Sequence, residues 1–195
     1  MAAFWKRGGG AGEAQAPPPG VTLSASRLLG DLLAGLPKRA APGASPRVLV
    51  AGPPSGVTIE TFHALGCRVT VAGDDRPEVR IDIEDKTVDL VLAFDLLDLL
   101  DRATARLAAG EWARVIRPSG GLYLLARQDK TIYPPPWRVD VHSEGTLHLV
   151  PLADAPARLV HTWQNREIEE LVRPLALRDI FLRKGGLREI LCRRT

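Results

Sequence analysis

Residues 88–126 constrain this chain more than any other stretch. Val88-Asp89-Leu90-Val91-Leu92-Ala93-Phe94 is almost unbroken apolar sequence. A run that short and that apolar fits a strand buried on both faces, as in a parallel sheet covered by helices. Asp95 follows at the strand's end, where open α/β sheets place their ligands. Leu96, Leu97, Leu99 and Leu100 come next, interrupted by Asp98 and Asp101. Ala105, Ala108, Trp112, Val115 and Ile116 then share one face at helical spacing. Arg117-Pro118 predicts the end of that helix, because proline cannot continue it and restricts the residue before it. Ser119-Gly120-Gly121 makes the turn, and Leu122-Tyr123-Leu124-Leu125-Ala126 reads as the next buried strand. Strand, helix, tight turn and strand in that order form one βαβ unit.

The rest of the chain supplies neighbours for that unit. Residues 23–36 read as a helix, with Ser24 or Ser26 as its cap and Leu28, Leu29, Leu32, Leu33 and Leu36 as an apolar stripe. A linker rich in proline, alanine and glycine follows over 37–46. Arg47-Val48-Leu49-Val50-Ala51 reads as the first strand of the sheet, Gly52-Pro53-Pro54-Ser55-Gly56 as the loop after it, and 57–65 as a helix carrying Ile59, Phe62 and Leu65. A second strand is expected over 67–72, closed by Gly73-Asp74-Asp75, and a short third strand over 79–83. Past the central unit, 127–163 breaks the pattern. Tyr133-Pro134-Pro135-Pro136-Trp137 is a rigid extended segment, and Val139/Val141, Leu147/Leu149 and 159–163 read as short strands. A helix over 165–172, capped by Asn165, precedes a hairpin of 177–183 and 187–193 turned at Lys184-Gly185-Gly186. Residues 1–20 read as a disordered tail. The expected organisation is therefore a tail (1–20) and one domain (21–195) with an insert at about 127–163. At the tip, Phe4-Trp5-Lys6-Arg7 is either an aromatic-basic peptide that docks on a partner protein or a membrane surface, or an unconstrained start.

Composition narrows the function classes. At 195 residues with 45% apolar side chains, there is room for one core plus tails. A formal net charge of +3 forces no nucleic-acid partner. Two cysteines, Cys67 and Cys192, make no disulfide framework, which points to a reducing compartment and a cytoplasmic protein. No apolar run has the length of a transmembrane helix, and the first residues lack the apolar core of a signal peptide. His63, His142, His148, His161 and the two distant cysteines show no metal-ligand spacing. There is neither a phosphate-binding P-loop nor a Gly-x-Ser-x-Gly elbow. Charge is uneven: Asp82, Glu84, Asp85, Asp89, Asp95, Asp98 and Asp101 cluster mid-chain, and Arg178, Arg183, Lys184, Arg188, Arg193 and Arg194 cluster at the end. The basic terminal hairpin reads as an edge strand protected by charge, or as a surface for an anionic partner such as RNA.

Residues 88–97, followed by Arg114-Val115-Ile116-Arg117-Pro118-Ser119-Gly120-Gly121-Leu122-Tyr123-Leu124, resemble the fourth-to-fifth-strand region of class I S-adenosylmethionine-dependent methyltransferases. That family writes the region as an apolar strand, an acidic leucine-rich loop, a helix and an Arg-Val-Leu-Lys-Pro-Gly-Gly type turn. The terminal pair of strands is similar to the sixth and seventh strands that set the family apart from dinucleotide-binding sheets. The likeness spans roughly 23–193, with 127–163 unaccounted for. It implies an α/β fold: a Rossmann-like three-layer sandwich whose mostly parallel sheet carries a C-terminal antiparallel hairpin. It also implies an S-adenosylmethionine cofactor, methyl transfer to a small acceptor, and an insert that covers the substrate.

The resemblance carries over to the site residue by residue. The family's glycine loop begins with an acid and holds three glycines. Here Val50 stands at the acid's place, Gly52 and Gly56 hold the outer glycine places with Ser55 between, and Pro54 occupies the middle one. Pro53 and Pro54 also lack backbone donors. Losing two or three hydrogen bonds of about 1 kcal/mol each weakens cofactor binding by roughly tenfold to over a hundredfold. Asp74 or Asp75 fits the acid that takes the ribose hydroxyls, or the pair are solvated turn residues. Asp82 fits the acid beside the adenine in position, or is likewise a solvated residue. Phe94 lies where the fourth strand meets the methyl donor, as core or as cofactor wall. Asp95, Asp98 and His161 are candidate bases for a hydroxyl or amine acceptor. The damaged loop and the Phe4-Trp5-Lys6-Arg7 tip also support a second expectation, a catalytically silent methyltransferase-like module that serves binding or assembly.

Overall fold

The computed structural model describes residues 20–36, 43–53, 55–72, 81–94, 96–128, 137–152, 161–183 and 185–194. Its centre is a six-stranded sheet in the order β3-β2-β4-β5-β9-β8, built from β2 (Arg47–Ala51), β3 (Arg68–Ala72), β4 (Val88–Phe94), β5 (Ile116–Arg127), β8 (Ala176–Arg183) and β9 (Leu187–Arg193). The pairs β2·β3, β2·β4 and β4·β5 are parallel, and β9 runs antiparallel to both β5 and β8. All seven residues of β4 are buried, as a strand covered on both faces requires. The charged member, Asp89, is satisfied at the strand's start. It accepts from the Arg47 backbone N–H at 2.8 Å and from Arg117 Nε at 2.6 Å, so it pins β2 and β5 to β4.

Helices cover both faces. On one lie α1 (Arg27–Gly35) and α2 (Gly56–Ala64), burying Leu29, Leu32, Leu33 and Phe62 against Val48, Val50, Leu90, Leu92 and Tyr123. On the other lie α3 (Arg102–Val115) and α4 (Asn165–Leu171), burying Ala105, Ala109, Trp112 and Ile168 against Leu49, Val91, Leu122 and Ile190. The interval after β5 forms β6 (Trp137–Val141) and β7 (Leu147–Pro151), and these join β1 (Val21–Leu23) in a separate antiparallel sheet of order β1-β7-β6. This small sheet packs Trp137, Val139, Val141, Leu147 and Leu149 into the α1/α2 face. The result is the three-layer α/β sandwich that the sequence predicts.

Several local expectations change. The first helix begins at Arg27 rather than residue 23, because Val21–Leu23 pairs with Leu147–Leu149. Ser26, one of the two expected caps, takes the Leu29 N–H at 3.1 Å. Residues 81–83 form no strand, and 79–80 lie outside the described residues. Strand β5 starts at Ile116, directly on the end of α3, and runs through Pro118. Ser119 at φ 64° and a register shift between Val88 and Leu90 absorb the irregularity there. Residues 161–163 are likewise not a strand. Gln164, not Asn165, caps α4: its side chain takes an N–H three residues on, and Glu167 returns a bond to the Gln164 N–H. The Phe4-Trp5-Lys6-Arg7 tip lies outside the described residues.

Candidate functional site at the switch point of the sheet

The chain leaves β2 through α2 to reach β3 on one side, and returns to β4 on the other. In open α/β sheets, the carboxyl ends of two such strands splay around a crevice where ligands bind. Gly52 ends β2 at this point with φ 119°, a conformation that strains any L side chain. A Cβ there would lie 3.8 Å from the Phe94 carbonyl oxygen, so the residue is chosen for its backbone and not for lack of room. Its N–H bonds the Ala72 carbonyl at 3.3 Å and ties the loop to β3. Next, Gly56 and Val57 open α2. Their N–H groups belong to the first helical turn, which has no intrahelical acceptors. Space beyond Gly56 is open, with no atom within 4 Å of a Cβ built there. A helix N-terminus of this kind favours a carboxylate.

Ser55 sits at the same corner but its hydroxyl is engaged. It accepts from Thr58 N–H at 3.2 Å as the α2 cap, and donates to Asp140 Oδ1 of β6 at 2.5 Å. Two more hydroxyls continue the grip. Thr58 Oγ1 donates to the Val139 carbonyl and accepts from the Val141 N–H, both at 2.9 Å. Thr61 Oγ1 donates to the Val141 carbonyl at 2.8 Å. Strand β6 is an edge of its small sheet, and a stripe of helix hydroxyls takes the place of a neighbouring strand. Sequence reasoning missed this contact. Its signal was Ser55-x-x-Thr58-x-x-Thr61, three hydroxyls one turn apart on one helical face.

The remaining candidates fall into three groups. Phe94 is buried in the α1/α2 core, edge-on to Tyr123 with ring centroids 6.1 Å apart. Burial pushes the Tyr123 phenol well above its ordinary range, and the nearby Glu189 carboxylate adds to the rise. Asp98 and His161 lie together, just past the carboxyl end of β4. Asp98 is fully buried. It accepts from the Arg127 N–H at 2.8 Å and lies 3.9 Å from the buried Arg127 guanidinium. Its backbone carbonyl takes the His161 N–H at 3.4 Å. The half-buried His161 imidazole stands edge-on to Trp163 at 4.5 Å, with Nε2 3.3 Å from Arg102 Nη2 and 3.5 Å from Glu167 Oε2. The Gln164 N–H, with Arg102 and His161 beside it, holds the Glu167 carboxyl below its usual range. None of Arg102, Trp163 or Glu167 stood out in the sequence. Asp82 is not brought to this end. It is exposed beside Ile81 and Ile83, whose carbonyls accept from Arg114 in the last turn of α3, next to the starts of β4 and β5. The recess there, about 560 Å³, is lined by residues 81–85 and Arg114, and lies away from the crevice. Pro54, Asp74, Asp75 and Asp95 lie outside the described residues.

No helix among the described residues is long and apolar enough to cross a membrane. No protein-family model and no curated protein matches the sequence. Solved structures do match in fold. The 1,6-didemethyltoxoflavin-N1-methyltransferase of Burkholderia thailandensis, solved with 1,6-didemethyltoxoflavin and S-adenosylhomocysteine bound, is 18% identical with a TM-score of 0.52, over 87% of this chain and 77% of its own. The N-methyltransferase NodS of Bradyrhizobium japonicum is 15% identical at a TM-score of 0.52, over 86% and 95%. The PH0226 protein of Pyrococcus horikoshii is 13% identical at 0.56, over 78% and 84%. Sheet order, the antiparallel strand between two parallel neighbours and these matches agree: the chain has the fold of the class I S-adenosylmethionine-dependent methyltransferases.

Proposed function

We propose that the crevice outside β2 and β4 binds S-adenosylmethionine and that the chain methylates a small acceptor held beneath the β6–β7 insert. The observation that carries this is Gly52: a left-handed turn at the switch point, beside a helix N-terminus with open space in front of it. The Burkholderia thailandensis enzyme of this fold is described with S-adenosylhomocysteine and the small molecule 1,6-didemethyltoxoflavin bound. Gly56 and Val57 N–H groups would take the cofactor's carboxylate, and Asp74 or Asp75, directly after β3, its ribose. When bound, the cofactor supplies a methyl group already activated as a sulfonium, so the chain's task is alignment. Of the candidate bases, His161 keeps a partly open imidazole that can accept a proton from an acceptor O–H or N–H. Asp98 is walled in by Arg127 and serves to position the turn after β4. Asp82 has no part in this site.

A second reading, a catalytically silent module for binding or assembly, has its own support. Pro53 brings no N–H to the loop, and the Ser55 hydroxyl is spent on Asp140 rather than left for a ligand. Calorimetric titration separates the two. Micromolar binding of S-adenosylmethionine that Asp74→Ala abolishes supports the enzyme. Absence of heat at millimolar cofactor leaves the silent module.

A further inference from the structure

Strand β8 pairs only with β9 among the described residues, so its outer backbone groups line an edge of the sheet. Edge strands are commonly protected by charge on both faces. Here Phe181 and Leu182 stay 54% and 60% exposed, one on each face. Arg178 is the extra residue of a bulge: Leu177 pairs with Cys192 and Asp179 with Leu191, leaving it unmatched. The regular run is therefore Asp179-Ile180-Phe181-Leu182-Arg183.

We infer that β8 is the site of self-association, pairing antiparallel with β8 of a second copy around a twofold axis at Phe181. A twofold axis normal to the sheet keeps each side chain on its own face, so the register must be centred on a residue and not between two. Centring on Asp179 sets two carboxylates against each other. Centring on Ile180 sets Phe181 against Asp179, and Leu182 against the bulged Arg178. Centring on Phe181 uses the whole regular run: Phe181 meets Phe181, Ile180 meets Leu182 twice, and Asp179 meets Arg183 at both ends. Apolar groups then face apolar groups, and opposite charges face each other, the two arrangements that stabilise cross-strand pairs. The side chains also divide correctly. Asp179, Phe181 and Arg183 lie on the α1 face, opposite Leu191, Glu189 and Leu187, while Ile180 and Leu182 lie on the α4 face, opposite Ile190 and Arg188. Arg183 already binds Glu189 through Nε and the Ser24 carbonyl through Nη1. The second copy's Asp179 faces the positive charge of this inward-held guanidinium. The product is a continuous twelve-stranded sheet, two copies of six strands each.

The test uses the full chain. Sedimentation equilibrium gives twice the chain mass for the native protein and the chain mass for Phe181→Lys, with the same melting temperature at low concentration. Directly opposed residues have Cβ atoms about 4.5–5.5 Å apart, within range of a disulfide after a small adjustment. Mild oxidation therefore links Phe181→Cys into a covalent dimer, whereas the native chain, with Cys67 and Cys192 both buried, forms none. Ile180→Cys and Leu182→Cys cross-link efficiently only when the two variants are mixed. A native protein that sediments at the chain mass throughout, or a dimer in which Phe181→Cys fails to link, overturns the inference.

Discussion

The residues that read most clearly as chemistry in the sequence divide sharply once their neighbours are known. Asp98 and Asp89 are both acids in apolar surroundings, and both turn out to hold backbone together. Asp98 closes over a guanidinium with no solvent contact. Removing one partner of a buried ion pair leaves an uncompensated charge, so Asp98→Ala is expected to cost about 3 kcal/mol in urea unfolding. A loss below about 1 kcal/mol, the scale of an exposed pair, would contradict that role. The two thiols test burial in a different way. Desolvation pushes Cys67 up to about 11 and Cys192 up to about 12, with the Asp89 carboxylate adding at Cys67 and Glu169 at Cys192. A group whose folded pKa is raised gives stability that is complete below its unfolded value, here 9.0, and is lost as pH rises through the folded value. Thermal midpoints should therefore hold steady from pH 7 to about 8.5 and then fall, and iodoacetamide should label both thiols only after urea is added. Rapid labelling of the native protein would show that the two thiols are open to solvent.

At the scale of elements, local signals carried far but tertiary pairing set the ends. The four-residue apolar run of β2, Val48 to Ala51, and the terminal hairpin lie where the hydrophobic pattern and turn residues place them. Residues 21–23 were legible only as the lead-in to a helix, because nothing near them in sequence reveals that their partner is β7, more than a hundred residues away. The hydroxyl stripe was equally hidden. A Ser or Thr on a helix usually bonds within its own turn, whereas Thr58 and Thr61 turn outward to the backbone of β6. Thr58→Val keeps the shape of the side chain and removes a donor and an acceptor at once. It is expected to cost about 2 kcal/mol, at roughly 1 kcal/mol per lost bond, and to speed hydrogen exchange at the Val141 amide. Unchanged exchange at Val141 would mean that β6 is held by its apolar side chains alone. The candidate site itself was half legible. Gly52 and Gly56 follow from a strand-loop-helix pattern, but the Arg102, Trp163 and Glu167 surroundings of His161 join elements too distant in sequence for any spacing to show.

For the molecule as a whole, the sheet order places one end of the parallel strands at a switch point and leaves the insert packed beside it, gripping α2 through Asp140. The central claim is that a cofactor enters between Gly52 and Phe94, at the first turn of α2. An amide-resolved NMR titration with S-adenosylhomocysteine tests this most directly. The account predicts saturable shifts concentrated at Gly52, Gly56, Val57, Ala72 and Phe94, with Asp82 and Arg114 unmoved. Shifts confined to residues 81–85 and Arg114, or none at saturating ligand, would contradict it.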